Sequence, residues 1–255
     1  MAETTDGGQT WTDLTPPQWN SSVISNAIDC VTATTCWVAG FTVDQMMNPW
    51  VTETTDGGKT WATFSNLPTF PPYDPNGTYT LSGISCTSAL ECVAVGGLNL
   101  SDGHAQVIST TDGGATWSLS ADPNLTDIQD LFSVSCVPGT GGLPTCSAAG
   151  SALRAAGPVT VRSADGGATW TGMETYDTTG WMNSVSCADA QHCWAAGGGT
   201  SVALVGTSDG WATWSTFTAK TTNEDGSVSC ASVRFCVSTA DNAVRHTSTD
   251  GGLGR

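Results

Sequence analysis

Positive charge is what this chain has least of. Seven Lys and Arg residues stand against 23 Asp and Glu, a formal charge of −16. So few cations cannot neutralise a run of phosphates, which argues against nucleic acid and anionic membrane surfaces as partners. Helical signals are missing as well. No stretch sustains a 3.6-residue apolar period between caps, so almost no helix is expected. No apolar run is long enough to cross a bilayer, so no membrane insertion is expected. The three histidines, His104, His192 and His246, do not recur with the cysteines, which removes a zinc reading. Nucleotide-binding Gly loops, a Ser-His-Asp nucleophile arrangement and calcium-loop spacing are all missing, so neither cofactor nor metal is expected. Met1-Ala2-Glu3 runs straight into the first motif, so no leader is expected.

What the chain has instead is repetition. The string Thr4-Thr5-Asp6-Gly7-Gly8-Gln9-Thr10-Trp11 returns as TTDGGKTW at 54–61, TTDGGATW at 110–117, SADGGATW at 163–170 and TSDGWATW at 207–214. A truncated STDGG at 248–252 ends the series. The repeated acids are Asp6, Asp56, Asp112, Asp165, Asp209 and Asp250, spaced 41 to 56 residues apart. Between successive motifs lies a cysteine pair: Cys30/Cys36, Cys86/Cys92, Cys136/Cys146, Cys187/Cys193 and Cys230/Cys236. Matched pairs at this spacing imply disulfides, each within its own pair, and an oxidising, extracellular or cell-surface setting. Closing a loop of about seven residues removes roughly 2.4 kcal/mol of unfolded-chain entropy per bridge. Disulfides in a chain without a leader fit a segment of a larger secreted protein or assembly.

One unit read through offers four short strands: Asn183–Cys187, Cys193–Gly197, Ser201–Val205 and Thr213–Phe217. Each is β-branched or aromatic and bounded by Gly, Asn, Asp or Ser. Four strands per 40–50 residues is the make-up of a propeller blade. The expectation is an all-β fold, a single five-bladed β-propeller over 1–255 with four-stranded antiparallel blades. The repeat units are about 12–61, 62–117, 118–170, 171–214 and 215–255 plus 1–11. Both ends fall in the same phase of the repeat, so the N-terminal strand after the first motif, Trp11–Leu14, is expected to complete the last blade and close the ring.

The motif resembles the Asp box, or bacterial neuraminidase repeat, Ser/Thr-x-Asp-x-Gly-x-Thr-Trp, over essentially the whole chain. The fuller unit, SVSC-x5-CWAAG followed by TSDG-x-ATW, is similar to blades of sialidase-like and photosystem-assembly-factor-like propellers. Cysteine is not usual there, so the chain looks like a secreted, disulfide-rich relative. The fifth copy has Trp211 where the second Gly stands and the sixth lacks the Thr and Trp, so those turns are expected to be distorted or incomplete. On the physics of the motif, the Asp accepts bonds from turn amides, the glycines permit positive φ and the Trp covers the turn. Its acids are therefore structural, not catalytic.

In such a fold the cysteine hairpins and Asp turns share one face, and binding belongs to the opposite, upper face. The Pro-rich stretch 67–77 is expected there as a rigid loop. The sialidase resemblance implies three convergent arginines, which Arg154, Arg162, Arg234, Arg245 and Arg255 do not supply. A glycoside hydrolase needs only two suitably spaced carboxylates. Candidates on the upper face are Asp44, Asp74, Asp102, Asp127, Asp130, Glu174, Asp177, Glu224, Asp225 and Asp241, and no motif selects a pair. Aromatic platforms favour sugar or protein binding. The candidate ligand residues are Trp19, Tyr73, Asp74, Tyr176, Asp177 and Trp181, with Tyr79 as a further upper-face ring. A binding or scaffold module for a glycan or an extracellular protein is the leading reading, with no catalytic residue assigned; the alternative is a glycoside hydrolase using a pair of upper-face carboxylates.

Overall fold

A computed structural model describes residues 2–14, 22–43, 47–70, 79–98, 104–153, 157–175, 180–199, 204–217, 226–240 and 243–246. Short alternating segments bounded by Gly-rich turns cannot bury enough surface as helices, and they form strands. The only helical element among the described residues is a single 3-10 turn at Pro123–Leu125.

An N-terminal hairpin pairs β1 (Ala2–Glu3) with β2 (Thr12–Asp13). Unit one follows as β3 (Val23–Cys30), β4 (Cys36–Thr42), β5 (Pro49–Thr54) and β6 (Ala62–Thr63). Unit two is β7 (Tyr79–Cys86), β8 (Cys92–Leu98), β9 (Gln106–Thr110) and β10 (Ser118–Leu119). Unit three is β11 (Ile128–Val137), β12 (Thr145–Ala152), β13 (Pro158–Ser163) and β14 (Thr171–Thr175). Unit four is β15 (Gly180–Cys187), β16 (Cys193–Gly199), β17 (Leu204–Thr207) and β18 (Ser215–Phe217). Unit five shows β19 (Ser227–Ser232), β20 (Phe235–Ala240) and β21 (Ala243–His246). Each unit is an antiparallel meander in chain order, and a bridge between Gly97 and Asp130 joins units two and three into one sheet. Among the described residues no strand pairing links the N-terminal hairpin to unit five.

The core lies between neighbouring sheets. One apolar cluster joins Trp37 of unit one to Leu81, Ile108 and Trp117 of unit two, and another joins Val93 and Val95 of unit two to Leu131, Val159 and Trp170 of unit three. Trp37 stacks on Phe64 and meets Trp117 edge-on, with ring centroids 5.2 and 6.0 Å apart.

The ten cysteines form five bridges, each within its own pair: Cys30–Cys36, Cys86–Cys92, Cys136–Cys146, Cys187–Cys193 and Cys230–Cys236. No described cysteine is free. The bridged residues stand directly opposite in the first two strands of each unit, with Cα atoms 4.0–4.1 Å apart. Two second strands differ from the unit read in sequence, where the strand opens on its cysteine. β12 and β20 open one residue earlier, so Cys146 and Cys236 lie inside the strand rather than at its start. The reason is pairing that runs on past the bridge, Val137 with Thr145 in one case and Ser232 with Phe235 in the other. Both cysteines are buried, Cys146 among the apolar residues between units two and three and Cys236 beside Trp194 and Val228. They belong to the core as well as to the staples, and offer nothing to a ligand.

The Asp turns repeat one hydrogen-bond set. In the first, the Thr4 hydroxyl and the Thr10 amide donate to Asp6 Oδ1, the Thr10 hydroxyl donates to Oδ2 at 2.6 Å, and the Gly8 amide donates to Thr4 Oγ1 at 2.8 Å. Asp56, Asp112 and Asp165 are held in the same way. The fifth turn departs in sequence but not in shape. Asp209 makes the same bonds, and Trp211 adopts φ 72° where the other copies have their second Gly. Asp250 and the sixth turn lie outside the described residues.

Trp211 also corrects the expected role of the motif Trp. Trp61, Trp117 and Trp170 are buried, whereas Trp214 and Trp11 are exposed. In unit four the Trp211 indole fills the core place and donates to Ser147 Oγ at 3.0 Å, so Trp214 is left outside. Trp170→Ala should therefore cost about 3–5 kcal/mol of stability and Trp214→Ala under about 1 kcal/mol, measured by denaturant unfolding.

Candidate ligand-binding face

The two kinds of hairpin are tied together on one side of the molecule. The amide of the first motif Gly donates to a carbonyl in the cysteine hairpin of its own unit: Gly57 to Thr34, Gly113 to Leu90, Gly166 to Pro144 and Gly210 to Gln191, at 2.9–3.0 Å. Those loops are committed to each other. The opposite side carries the N-terminal ends of the first strands and the C-terminal ends of the second.

The first strands of units one to four share one irregularity near their start. The register slips between Ser25 and Ala27, Leu81 and Gly83, Leu131 and Ser133, and Met182 and Ser184. A bulge of this kind bends a strand and re-aims its side chains. Gly40, Gly96, Gly150 and Gly197 face it from the second strands, where a Cβ would strike the carbonyl oxygens of Ile24, Thr80, Asp130 and Trp181. That is why the small-residue run after each second cysteine ends in Gly. Unit five has Ala240 at the corresponding place, and its first strand begins only at Ser227.

Ile24, Thr80, Asp130 and Trp181 thus hold one equivalent position in four successive units. Trp181 is 36% exposed, an aromatic surface beside the bulge. Asp130 is half-buried as a residue, but its Oδ1 is fully enclosed and has no hydrogen-bond partner. Burial drives the Asp130 carboxyl up to about 7, against a smaller opposing effect from a bond with the Leu131 amide. The Asp turns behave oppositely: donation from the Thr10 and Thr60 hydroxyls, with their amides, holds Asp6 and Asp56 down at about 2.

Of the six candidate ligand residues, Trp181 alone falls in a described segment; Trp19, Tyr73, Asp74, Tyr176 and Asp177 lie outside it. Tyr79 is corrected from platform to core: it is buried and stacks on Phe70 at 5.2 Å. Trp37 and Trp194 are core, and Trp50 is buried in a third strand. Arg162 and Arg245 lie on third strands and Arg234 in a cysteine hairpin, so they do not converge on the upper ends. Among the acids, Asp127 is exposed and Glu174 lies on β14. Sequence reasoning did not single out Asp130 from ten acids. The signal was available, since Asp130 and Trp181 each stand six residues before their first cysteine.

Comparison with known structures shows what this arrangement is. A Hadza microbial sialidase aligns over 97% of this chain and 58% of its own length at 15% identity, with a TM-score of 0.63. A protein of unknown function from Dyadobacter fermentans aligns over 93% and 77% at 15% identity and TM-score 0.61. YCF48 bound to a D1 peptide aligns over 91% and 65% at 18% identity and TM-score 0.56. The fold is a sialidase-like β-propeller. The chain spans less than two thirds of the YCF48 and sialidase chains it resembles. No protein-family model matches the chain, and neither does any curated protein.

The two kinds of acid make opposite pH demands. Asp130, with its proton affinity raised on folding, favours the fold at low pH and loses that contribution as pH climbs from about 4 to about 7, by at most about 4 kcal/mol. The turn acids are lowered on folding, so their contribution is full above about 4 and lost as pH falls towards 2. Thermal melts across pH 3–8 should show both slopes. Asp130→Asn should abolish the neutral-side decline and leave the acid-side loss intact.

Proposed function

We propose that this chain is a non-catalytic binding or scaffold propeller of an oxidising extracellular or cell-surface setting, recognising a carbohydrate or an extracellular protein through the face opposite the Asp turns. The five bridges fit such an environment. The near-complete motif copies support membership of the Asp-box group. The observation that carries the function is Trp181: a large ring left exposed beside the first-strand bulge, one unit from a carboxyl that burial raises to about 7. An exposed aromatic plane suits a sugar face or an apolar side chain equally well. Trp19, Tyr73, Asp74, Tyr176 and Asp177 are proposed to extend the same surface. The sialidase and the peptide-bound YCF48 are structural neighbours of both ligand kinds, and their likeness supports the fold that presents such a site. As architecture we propose one domain over 1–255, with five blades closed by the N-terminal strand.

Asp130 favours a second reading. A carboxyl raised by burial to about 7 suits the acid half of a glycoside hydrolase pair. It needs a second carboxylate about 5–10 Å away, and no pairing signature supplies one.

Glycan and peptide arrays followed by titration test the proposal. Trp181→Ala should weaken a captured ligand by about 1–3 kcal/mol without lowering the melting temperature. The same change at Trp117 should lower stability instead. Sialosides and common plant and bacterial glycans should remain uncleaved, and a product whose formation disappears in Asp130→Asn would establish the hydrolase.

A further inference from the structure

Four of the five bridges are sealed by the unit before them. Cys92, Cys146, Cys193 and Cys236 are at most 1% exposed. Each shares an apolar cluster with a residue of the preceding unit: Cys92 with Trp37, Cys146 with Val93, Cys193 with Ala149 and Cys236 with Trp194. The backbone at those junctions is fastened as well. The residue before the first cysteine accepts from the amide of the next unit's first cysteine: Asp29 from Cys86 at 2.7 Å, then Ser85 from Cys136, Ser135 from Cys187 and Ser186 from Cys230, each at 3.0 Å. Reaching these sulfurs from water requires two packed units to part.

The Cys30–Cys36 bridge is different. Cys30 is exposed and Cys36 half-buried, and Cys36 packs only against Val38, Trp50 and Trp61 of its own unit and their neighbour Val23. Ile28, two places before Cys30, is 54% exposed, where Ile84, Val134, Val185 and Val228 are 6–7% exposed. Beside the bridge lies a cavity of about 450 Å³, with Ile28 and Trp61 on the side of unit one and Ala2, Glu3 and Leu14 on the side of the N-terminal hairpin. Among the described residues, Glu3 is the one charged side chain that lines it. Its Oε1 lies 3.9 Å from the place of a Cβ on Gly57, so the carboxylate stands at the turn next to the bridge. In the five-bladed closure the last unit would stand over this bridge. Among the described residues neither a strand pairing nor an amide bond of the kind seen at the other four junctions fastens it there. Local opening at this one place therefore admits a small molecule.

We propose that the Cys30–Cys36 bridge is a thiol-exchange site for small, positively charged aminothiols. The thiolate of the aminothiol attacks Cys30 Sγ, forming a mixed disulfide there, and the Cys30–Cys36 bond breaks with Cys36 leaving as a thiolate that takes a proton from water. A second aminothiol thiolate attacks the mixed disulfide, frees Cys30 as a thiolate and leaves as the oxidised aminothiol dimer, so two aminothiols supply the two electrons. Cys30 is the sulfur attacked because solvent reaches it first. Cys36, held in place by Val38, Trp50 and Trp61, stays within reach to close the bridge again. Glu3 and the net charge of −16 draw an ammonium group in and repel an anionic thiol. The site lies beside the first cysteine hairpin, away from the proposed ligand face, and goes beyond the binding role.

The intact, oxidised chain is treated under native conditions with cysteamine, or with the anionic thiol thioglycolate at equal thiolate concentration. Samples are quenched in acid at intervals, alkylated and mapped by mass spectrometry. Cys30 should carry the first adduct and Cys36 the first alkylated thiol, about tenfold or more ahead of Cys86–Cys92, because the sealed bridges wait for larger openings. Cysteamine should outpace thioglycolate, and the gap should narrow at high salt and in Glu3→Gln. Replacing Cys30 and Cys36 together by Ser should remove the fast phase and leave the slow one. The order of labelling in the unaltered chain decides the matter even where that double variant fails to fold. One common rate for all five bridges, or a first label at any other pair, overturns the site. Equal rates with the two thiols overturn the preference for aminothiols, and a first adduct on Cys36 overturns the assigned attack.

Discussion

In four of the five units the amide of the first cysteine is met by an acceptor in the unit before, and the molecule is organised around that bond. The bridged cysteines face each other across the hairpin, and the amide of the later unit is left to find an acceptor in the unit before. Ser85, Ser135 and Ser186 supply that acceptor with a short hydroxyl, and Asp29 with a carboxylate. A buried unpaired amide costs about 1–3 kcal/mol, so each unit is held in register with the next by a bond that neither can make alone. The apolar clusters between sheets then fill behind it.

The opposite face is freed by how completely the first face is used. Asp turns, cysteine hairpins and bridges saturate one another through short local bonds, leaving little there to offer a ligand. Upper-face geometry instead follows from the bulges at Ile24, Thr80, Asp130 and Trp181, where a glycine on the second strand admits the displaced carbonyl. The same device repeats while the side chain it presents varies from apolar to hydroxyl, carboxyl and indole. A constant backbone with a variable side chain is how a repeat architecture carries recognition without disturbing its stability.

Local patterns carried most of the architecture. The disulfide pairing, the turn chemistry of the Asp motif, the strands and their antiparallel order were all legible, because each depends on residues within about ten positions of one another. Burial of Cys146 and Cys236 was not, since it comes from the sheet packed against each. The bulge was half legible: the Gly ending each small-residue run was visible, while its purpose needed the carbonyl it faces. Trp211 read as a defect, yet the turn keeps its shape and the indole takes the core place from Trp214. A substitution that exchanges which of two tryptophans is buried depends on the neighbouring sheet and leaves no periodic trace.

Composition and repeats by themselves determined an all-β chain of cysteine-paired units, with seven Lys and Arg against 23 Asp and Glu. Only the tertiary structure decided which side chains face outward. Tyr79 and Trp181 look alike in sequence, each standing near the start of a first strand, but one stacks on Phe70 in the core and the other is exposed. Asp130 is one acid among many until Gly97 of unit two lies against its Oδ1 and burial raises its proton affinity. Exposure and solvation are properties of the packed neighbours, contributed by other elements of the fold, and no local pattern encodes them.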